Sequence, residues 1–398
     1  MDALAEQPAW ARWNYDGDPF TVGVEEEVLL LDPDGWGLAA SGLAELRERL
    51  DPQLDARLSS ETHAATIEYE TAAHASAATA AEELERLRAR LDEGAREHGR
   101  AVAGSGTHPT VTWRDTELSD ERRYVYLHEE MRELARREPT FAMHVHVGID
   151  DPELAIRTAN RMRVHLPLLL ALSANSPFWQ GRDSGLASAR TSVFQTFPRV
   201  GIPRAFDDYA DYVDSLQTLI ACGAFPEPTF VWWDLRLQPN LGTLEIRAMD
   251  TQAEAWRAGV LTALTQSLVR LERLEPQVPD SLTRAPELLD ENRFRAGRDG
   301  VRAELLDPVR CARLPVAAIA ELAVEACRPH ARDLGCEAHL DRVEDLVADP
   351  ADRVQRRLAG SGDDLEAVVE GLSELFSSSR PAPAADDRRP ARSGDPPR

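Results

Sequence analysis

Apolar positions in this chain fall into short period-two runs and longer runs at helical spacing, and the two kinds alternate loosely from about residue 20. The short runs predict strands over 20–31, 63–71, 101–106, 140–149, 229–238 and 242–249. Helical spacing predicts helices over 76–98, 120–137, 151–175, 207–222 and 251–274, and helix throughout 280–376. Residues 1–18 are expected to be loosely ordered, with Trp10 and Trp13 packing down. The Pro-rich, charged stretch "SSSRPAPAADDRRPARSGDPPR" at 377–398 is expected to be disordered. Residues 19–376 then form one domain with a helical C-terminal part.

Polar residues cluster inside the strand segments, where a simple sheet has no use for them. In "TVGVEEEVLLLDP", residues 21–33, an apolar run surrounds Glu25, Glu26 and Glu27. Burying an unpaired carboxylate costs several kcal/mol. With a side-chain period of two, Glu25 and Glu27 share one face while Glu26 points to the other. Two carboxylates about 7 Å apart on one face of an apolar strand suit a hard divalent cation. A strand edge whose glutamates reach solvent is the alternative.

Three more segments repeat the anomaly. "SSETHAATIEYET" supplies Glu61, Glu68 and Glu70, with Glu68 and Glu70 opposite Ile67 and Tyr69; an amphipathic strand with a wet side reads the same way. "FAMHVHVGID" puts His144 and His146 on one face, a spacing that suits zinc or a pair of hydrogen-bonded core histidines. In "VWWDLRLQPNLGTLEIRAMD", Asp234 shares a face with Arg236, and Glu245 shares one with Arg247. Glutamate to hold an ion beside arginine to neutralise an anion suits metal-bound phosphate. A cross-strand salt-bridge ladder is the alternative. Carboxylates with sparse histidine favour magnesium or manganese over zinc, and metal-assisted phosphoryl chemistry. No Ser–His–Asp arrangement is evident, and "GSG" at 104–106 lacks the GxSxG pattern.

Composition narrows the chemistry. The 398 residues are 43% hydrophobic and contain no lysine, so every basic side chain is arginine. That excludes a Walker A phosphate loop and a Schiff-base lysine. Formal net charge is −24, which argues against nucleic acid or an anionic membrane as partner. Cys222, Cys311, Cys327 and Cys336 form no CxxC pair, and no signal segment or membrane-length apolar run is seen, so a cytoplasmic location is expected.

In this order, "TVGVEEEVLLLD", "SGTHPTVTW", "MHVHVGIDD", "RTSVFQTFPRVGIP" and "GTLEIRAMDTQ" resemble the carboxylate–amine ligase family that is similar to glutamate–cysteine ligase type 2. The resemblance spans roughly residues 20–255, and more weakly to about 375. It implies an α+β, glutamine-synthetase-like catalytic fold, with a curved, mainly antiparallel sheet forming a metal-lined funnel packed with helices. It also implies ATP-dependent amide formation between a glutamate γ-carboxylate and an amine, normally that of cysteine, with magnesium or manganese.

Carried over residue by residue, the metal ligands are Glu25, Glu27, Glu61, Glu68, His146 and Glu245, with Glu70 competing with Glu61 and His144 with His146. Arg247 is expected to face the transferring phosphate, Arg190 and Arg199 to contact substrate or phosphate, and Arg236 to join Arg190 and Arg247 at the nucleotide. Glu26, facing away, is expected to be bound by an arginine or by water. The Gly-, Ser- and Arg-rich stretch over 180–206 is expected to cover the site. A homodimer fits an enzyme of this size. The rival readings are a zinc hydrolase built on His144 and His146, and a non-catalytic ATP- or amino-acid-binding relative.

Overall fold

The computed structural model describes residues 7–378, except Asp16, Ser41, Arg49, Glu138 and residues 361–363. At its centre β1 (Val22–Asp32), β2 (Leu58–Ser60), β3 (Thr66–Glu70), β4 (Ala101–Ala103), β5 (Ala142–Gly148), β6 (Leu235–Gln238) and β7 (Thr243–Asp250) form one sheet. Its order is β6–β7–β5–β1–β3–β2, and β4 and the short strand Gly37–Leu38 pair with the C-terminal end of β1. Every pairing is antiparallel. The helices that matter for the site are α1 (Ala77–Glu97), α2 (Arg122–Met131), α3 (Pro152–Ser173), α4 (Ala189–Phe194), α5 (Ala255–Leu274) and α6 (Pro286–Asp299). α1, α3 and α5 pack together against the sheet. The α+β class and the mainly antiparallel sheet are as expected.

Pleating sorts the sheet into two chemistries. Along β1, Val22, Val24, Val28 and Leu30 are buried in the apolar core that the helices complete. Glu26 belongs to the same series and is 0% exposed. The Arg88 guanidinium reaches it from α1, with Nε donating to Oε2 at 2.8 Å and Nη2 to Oε1 at 2.6 Å. The Tyr69 hydroxyl donates to the same carboxylate at 2.6 Å, and Arg88 spends further N–H groups on the carbonyls of Gln252 and Ala253. Glu26 thus has the arginine expected for it. The odd-numbered neighbours, Glu25 and Glu27, lie on the opposite face.

Register fixes what they meet. Glu25 stands opposite His144 on β5 and Glu70 on β3, and Glu27 opposite Glu68. His146 stands opposite Glu245, which stands opposite Arg236. Directly opposed residues share a face, so the antiparallel order alone gathers these side chains.

Several boundaries differ from expectation. Residues 280–376 are not helical throughout: Glu304–Asp307 and Ala312–Pro315 pair as a hairpin. The Asp307 carboxylate accepts from the amides of Val309 (2.9 Å) and Arg310 (3.1 Å), a turn that competes with the helix. The 120–137 helix breaks at Arg132, whose φ of 56° turns the chain before Glu133–Arg136. Of the N-terminal stretch expected to be loosely ordered, residues 1–6 lie outside the described residues, and Trp10 Nε1 donates to Gln217 (2.9 Å) and Trp13 Nε1 to the Ile149 carbonyl (2.8 Å). The expected disordered tail lies, from residue 379 on, outside the described residues. Among those described, no helix is long and apolar enough to cross a membrane.

The Glu26–Arg88 pair yields a stability test. Arg88→Met leaves a buried, uncompensated carboxylate and should cost about 3–5 kcal/mol in urea unfolding. Replacing both, with Glu26→Leu, should recover much of that loss. Equal destabilisation by the single and double variants would show that the pair carries no mutual charge compensation.

Candidate active site

On the face opposite the helices, potential ligands fall into three overlapping groups: Glu25, His146 and Glu245; Glu25, Glu68 and His144; Glu27, Glu61 and Glu68. Within each group one ligand atom per residue lies within 4.8 Å of the others. Glu25 and Glu68 each belong to two groups, so the set reads as a row running from β7 across β5 and β1 to β3. Both histidines take part. Glu61 joins from the turn before β3, whereas Glu70 is exposed and in none of the groups.

So many carboxylates on one face disturb one another. Burial pushes Glu27 up to about 8, and the charge of Glu61 pushes the same way. Glu68 is raised well above the usual carboxylate range by burial and by Glu61, Glu25 and Glu27, and burial raises Glu61 as well. At the other end of the row cations win. Burial acts against the charged form of Glu245, but Arg236, Arg247 and His146 hold it well below its ordinary value. Burial likewise opposes Glu25, yet His146 and the hydrogen bonds of both histidines hold it low. Burial lowers His144 to about 4, helped by Arg247, while Glu25 outweighs burial and raises His146. His144 Nε2 and His146 Nε2 are buried without a hydrogen-bond partner, although Glu25 Oε1 lies 3.0 Å from the latter.

The arginines divide into two roles. Arg236 forks onto Glu245, Nε to Oε2 at 2.8 Å and Nη2 to Oε1 at 2.9 Å, and spends Nη1 on the carbonyls of Thr229 and Val231. Arg236, expected at the nucleotide, thus fixes the Glu245 carboxylate and does not line the cleft described next. Arg247 also touches Glu245, but it lines a cleft of about 700 Å³ together with Arg190, Glu27, Glu61 and His144. Arg199 does not line that cleft. It stacks on Phe225 and Trp232, with ring centroids 5.1 and 5.2 Å away, and reaches the cleft only through the Trp232 ring. Asp234, read as a face-mate of Arg236, is instead buried against Arg293 of α6, 2.5 Å from its Nε.

Sequence reasoning missed His63. It lines the cleft beside Thr62 and Thr66, its Nε2 is buried without a partner, and burial lowers it to about 4. Its place in "ETHAAT", between two candidate ligands, was the available signal. The covering role expected of 180–206 is partly visible: Arg190, Phe194 and Phe197 of that stretch line the cleft, with Leu127 of α2 and Trp232.

Known proteins resemble this chain in sequence and in fold. The family model described as glutamate–cysteine ligase family 2 matches residues 21–371. A Rubrobacter xylanophilus protein named "Putative glutamate--cysteine ligase 2-1" is 38% identical over 369 residues, 92% of this chain and 96% of that one. A glutamate–cysteine ligase of Natronomonas pharaonis is 34% identical over 364 residues, 90% and 96% of the two chains. Among solved structures, glutamate–cysteine ligase from Francisella tularensis, crystallised with AMP, superposes with a TM-score of 0.66 over 92% of this chain and 90% of that one. Its sequence is 13% identical, so that likeness concerns the fold. By sequence match over most of its length, the chain belongs to glutamate–cysteine ligase family 2.

Proposed function

We propose that the protein is an ATP-dependent carboxylate–amine ligase that joins the γ-carboxylate of glutamate to an amine, cysteine being the family's namesake, through an acyl phosphate. One observation carries the reading: a row of overlapping carboxylate and imidazole groups reaches, through Glu27, Glu61 and His144, the cleft that Arg190 and Arg247 also line.

The donor set fits magnesium or manganese. Two of the groups have two carboxylates to one imidazole and the third has three carboxylates, and mutually repelling acids beside partnerless imidazole nitrogens are a state that a divalent cation relieves. Glu25, Glu27, Glu61, Glu68, His144, His146 and Glu245 would hold such ions. When bound, the ions would offset the charge of the nucleotide phosphates.

The chain's own residues supply the rest. Arg247 and Arg190 put guanidinium groups where charge spreads over the transferring phosphoryl group, and each is fixed before substrate arrives. Arg236 keeps Glu245 in place. Leu127, Phe194, Phe197 and Trp232 exclude water, which would otherwise hydrolyse the acyl phosphate. The substrate amine then attacks that acyl carbon and phosphate leaves, so no side-chain nucleophile is required. A zinc hydrolase is not favoured, because His144 and His146 stand in different groups, each dominated by carboxylates. A cytoplasmic location fits a chain whose described cysteines are all free.

The direct test is ADP release by the purified protein with ATP, magnesium and glutamate, with and without a panel of amines including cysteine. Release that requires glutamate and one amine supports the ligase and names its acceptor; release indifferent to glutamate overturns it. Glu27→Gln should abolish turnover while the protein stays folded. Arg247→Lys, which exchanges a planar fork for a point charge, should lower kcat by about 10²–10³-fold; near-normal turnover would assign Arg247 a structural role only.

The charges also predict a pH response. Glu27 and His146 titrate above their ordinary values, so between about pH 6.5 and 8 the folded, cation-free protein binds more protons than the unfolded chain. Stability should therefore fall as pH rises through that window. His144, lowered to about 4, acts with the opposite sign only below its ordinary 6.5. Thermal unfolding in chelator should show Tm dropping from pH 6.5 to 8, with magnesium or manganese reversing the drop and Glu27→Gln flattening it. A cation-independent slope would count against the ligand assignment.

A further inference from the structure

Arg190 is held in the cleft by a residue that does not itself line it. Asp250, the last residue of β7, is 0% exposed. Its Oδ2 accepts from the Asn175 amide at 2.9 Å and the Ser176 hydroxyl at 2.7 Å, and its Oδ1 accepts from the Ser188 hydroxyl at 2.9 Å. Both serines pass the constraint on. Ser176 Oγ accepts from the Arg190 amide at 3.2 Å, and Ser188, the N-cap of α4, accepts from the Thr191 amide at 3.3 Å. The guanidinium meets the same carboxylate, with Nη1 3.5 Å from Oδ1. It also donates to the carbonyls of Arg247 (3.1 Å) and Ala248 (3.4 Å). One buried carboxylate therefore fixes both the backbone that starts α4 and the side chain that leaves it.

The "GSG" stretch at 104–106 makes room for this arrangement. A Cβ on Gly106 would stand 2.7 Å from the Asp250 carboxyl carbon and 2.9 Å from Ser176 Oγ, and one on Gly104 would stand 2.2 Å from the Gln252 carbonyl oxygen. Neither position tolerates a side chain while β7 ends where it does.

We infer that Asp250 is a positioning residue, which through Ser176, Ser188 and the guanidinium itself sets Arg190 beside Arg247 and so determines how the cleft grips the nucleotide's transferring phosphate. This rests on the ligase reading. Among the charged side chains that line the cleft Asp250 contacts Arg190, so its effect on the chemical step should vanish when Arg190 is gone.

A double-mutant cycle tests that dependence. Wild type, Asp250→Asn, Arg190→Gln and the double variant are compared by kcat and KM for ATP in glutamate-dependent ADP release, by ATP titration calorimetry with magnesium, and by Tm. Asp250→Asn keeps the volume and loses the charge, and should lower kcat about 10–100-fold, more than it changes KM. In the Arg190→Gln background it should have no further effect. Multiplying losses, or a lowered Tm with unchanged kcat, would overturn the inference and leave Asp250 a purely structural residue. Should Asp250→Asn not fold, Ser188→Ala, which removes one donor to the carboxylate, replaces it in the same cycle and should lose about 3–10-fold only when Arg190 is present. Absence of ADP release by the wild type would instead count against the ligase reading. The cycle is then read from calorimetry, where weakening of ATP binding that depends on Arg190 supports the inference and weakening independent of it overturns the inference.

Discussion

A pleated strand must send successive side chains to opposite faces, and the site follows from how residues 25–27 obey that constraint. With the register unbroken on both edges of β1, Glu25, Glu26 and Glu27 cannot share one side. The central carboxylate is therefore committed to the helix layer, where it is satisfied by Arg88 and Tyr69. That interior pair locks α1 to β1 and to the carbonyls that follow β7. A register slip of one residue would put Glu25 and Glu27 into apolar packing and lift Glu26 into the site. The pair is thus a registration device as much as a source of stability, the best-attested use of buried charge.

The ligand-bearing face of the sheet is frustrated by its charges rather than by strain. At the β7 end, Arg236, Arg247 and Gln238 surround Glu245 so fully that its carboxylate is stable as an anion. At the β3 end, Glu27, Glu61 and Glu68 face one another with fewer cations nearby and resist ionising together. The row is therefore graded, from a preformed anionic anchor to a set of acids that become good ligands only as they lose protons. Under the proposed reaction such a gradient suits binding a cation–phosphate assembly and later releasing it.

Much of this was legible before any coordinates. Alternation in "VGVEEEV", "MHVHVG" and "TLEIRAMD" assigned each side chain to a face, because period two leaves no freedom once a strand is granted. Which strand lies beside which was not legible, and partners depend on it. The glutamates of β1 meet His144 and Glu68 only because β5 and β3 flank it. That Arg236 pairs with Glu245 depends on which strand lies beside β6, which alternation does not reveal. Asp234 looked like a face-mate because the short break at its position, which turns it toward Arg293 of a helix more than fifty residues on, has no local signature. The surroundings of Arg199 were hidden for the same reason, being assembled from Phe225 and Trp232.

The cations that line the cleft are guanidinium groups without exception among the described residues, and the chain holds no lysine anywhere. Under the proposed reaction the enzyme makes an acyl phosphate, an electrophile that any nearby primary amine would capture. A guanidinium keeps its proton and does not compete. The cleft can thus surround an activated acyl group with positive charge that carries no primary amine, so that no cationic side chain competes with the amine admitted from solution. A substitution that placed lysine at Arg190 or Arg247 would alter more than geometry: it would open the enzyme to acylating itself.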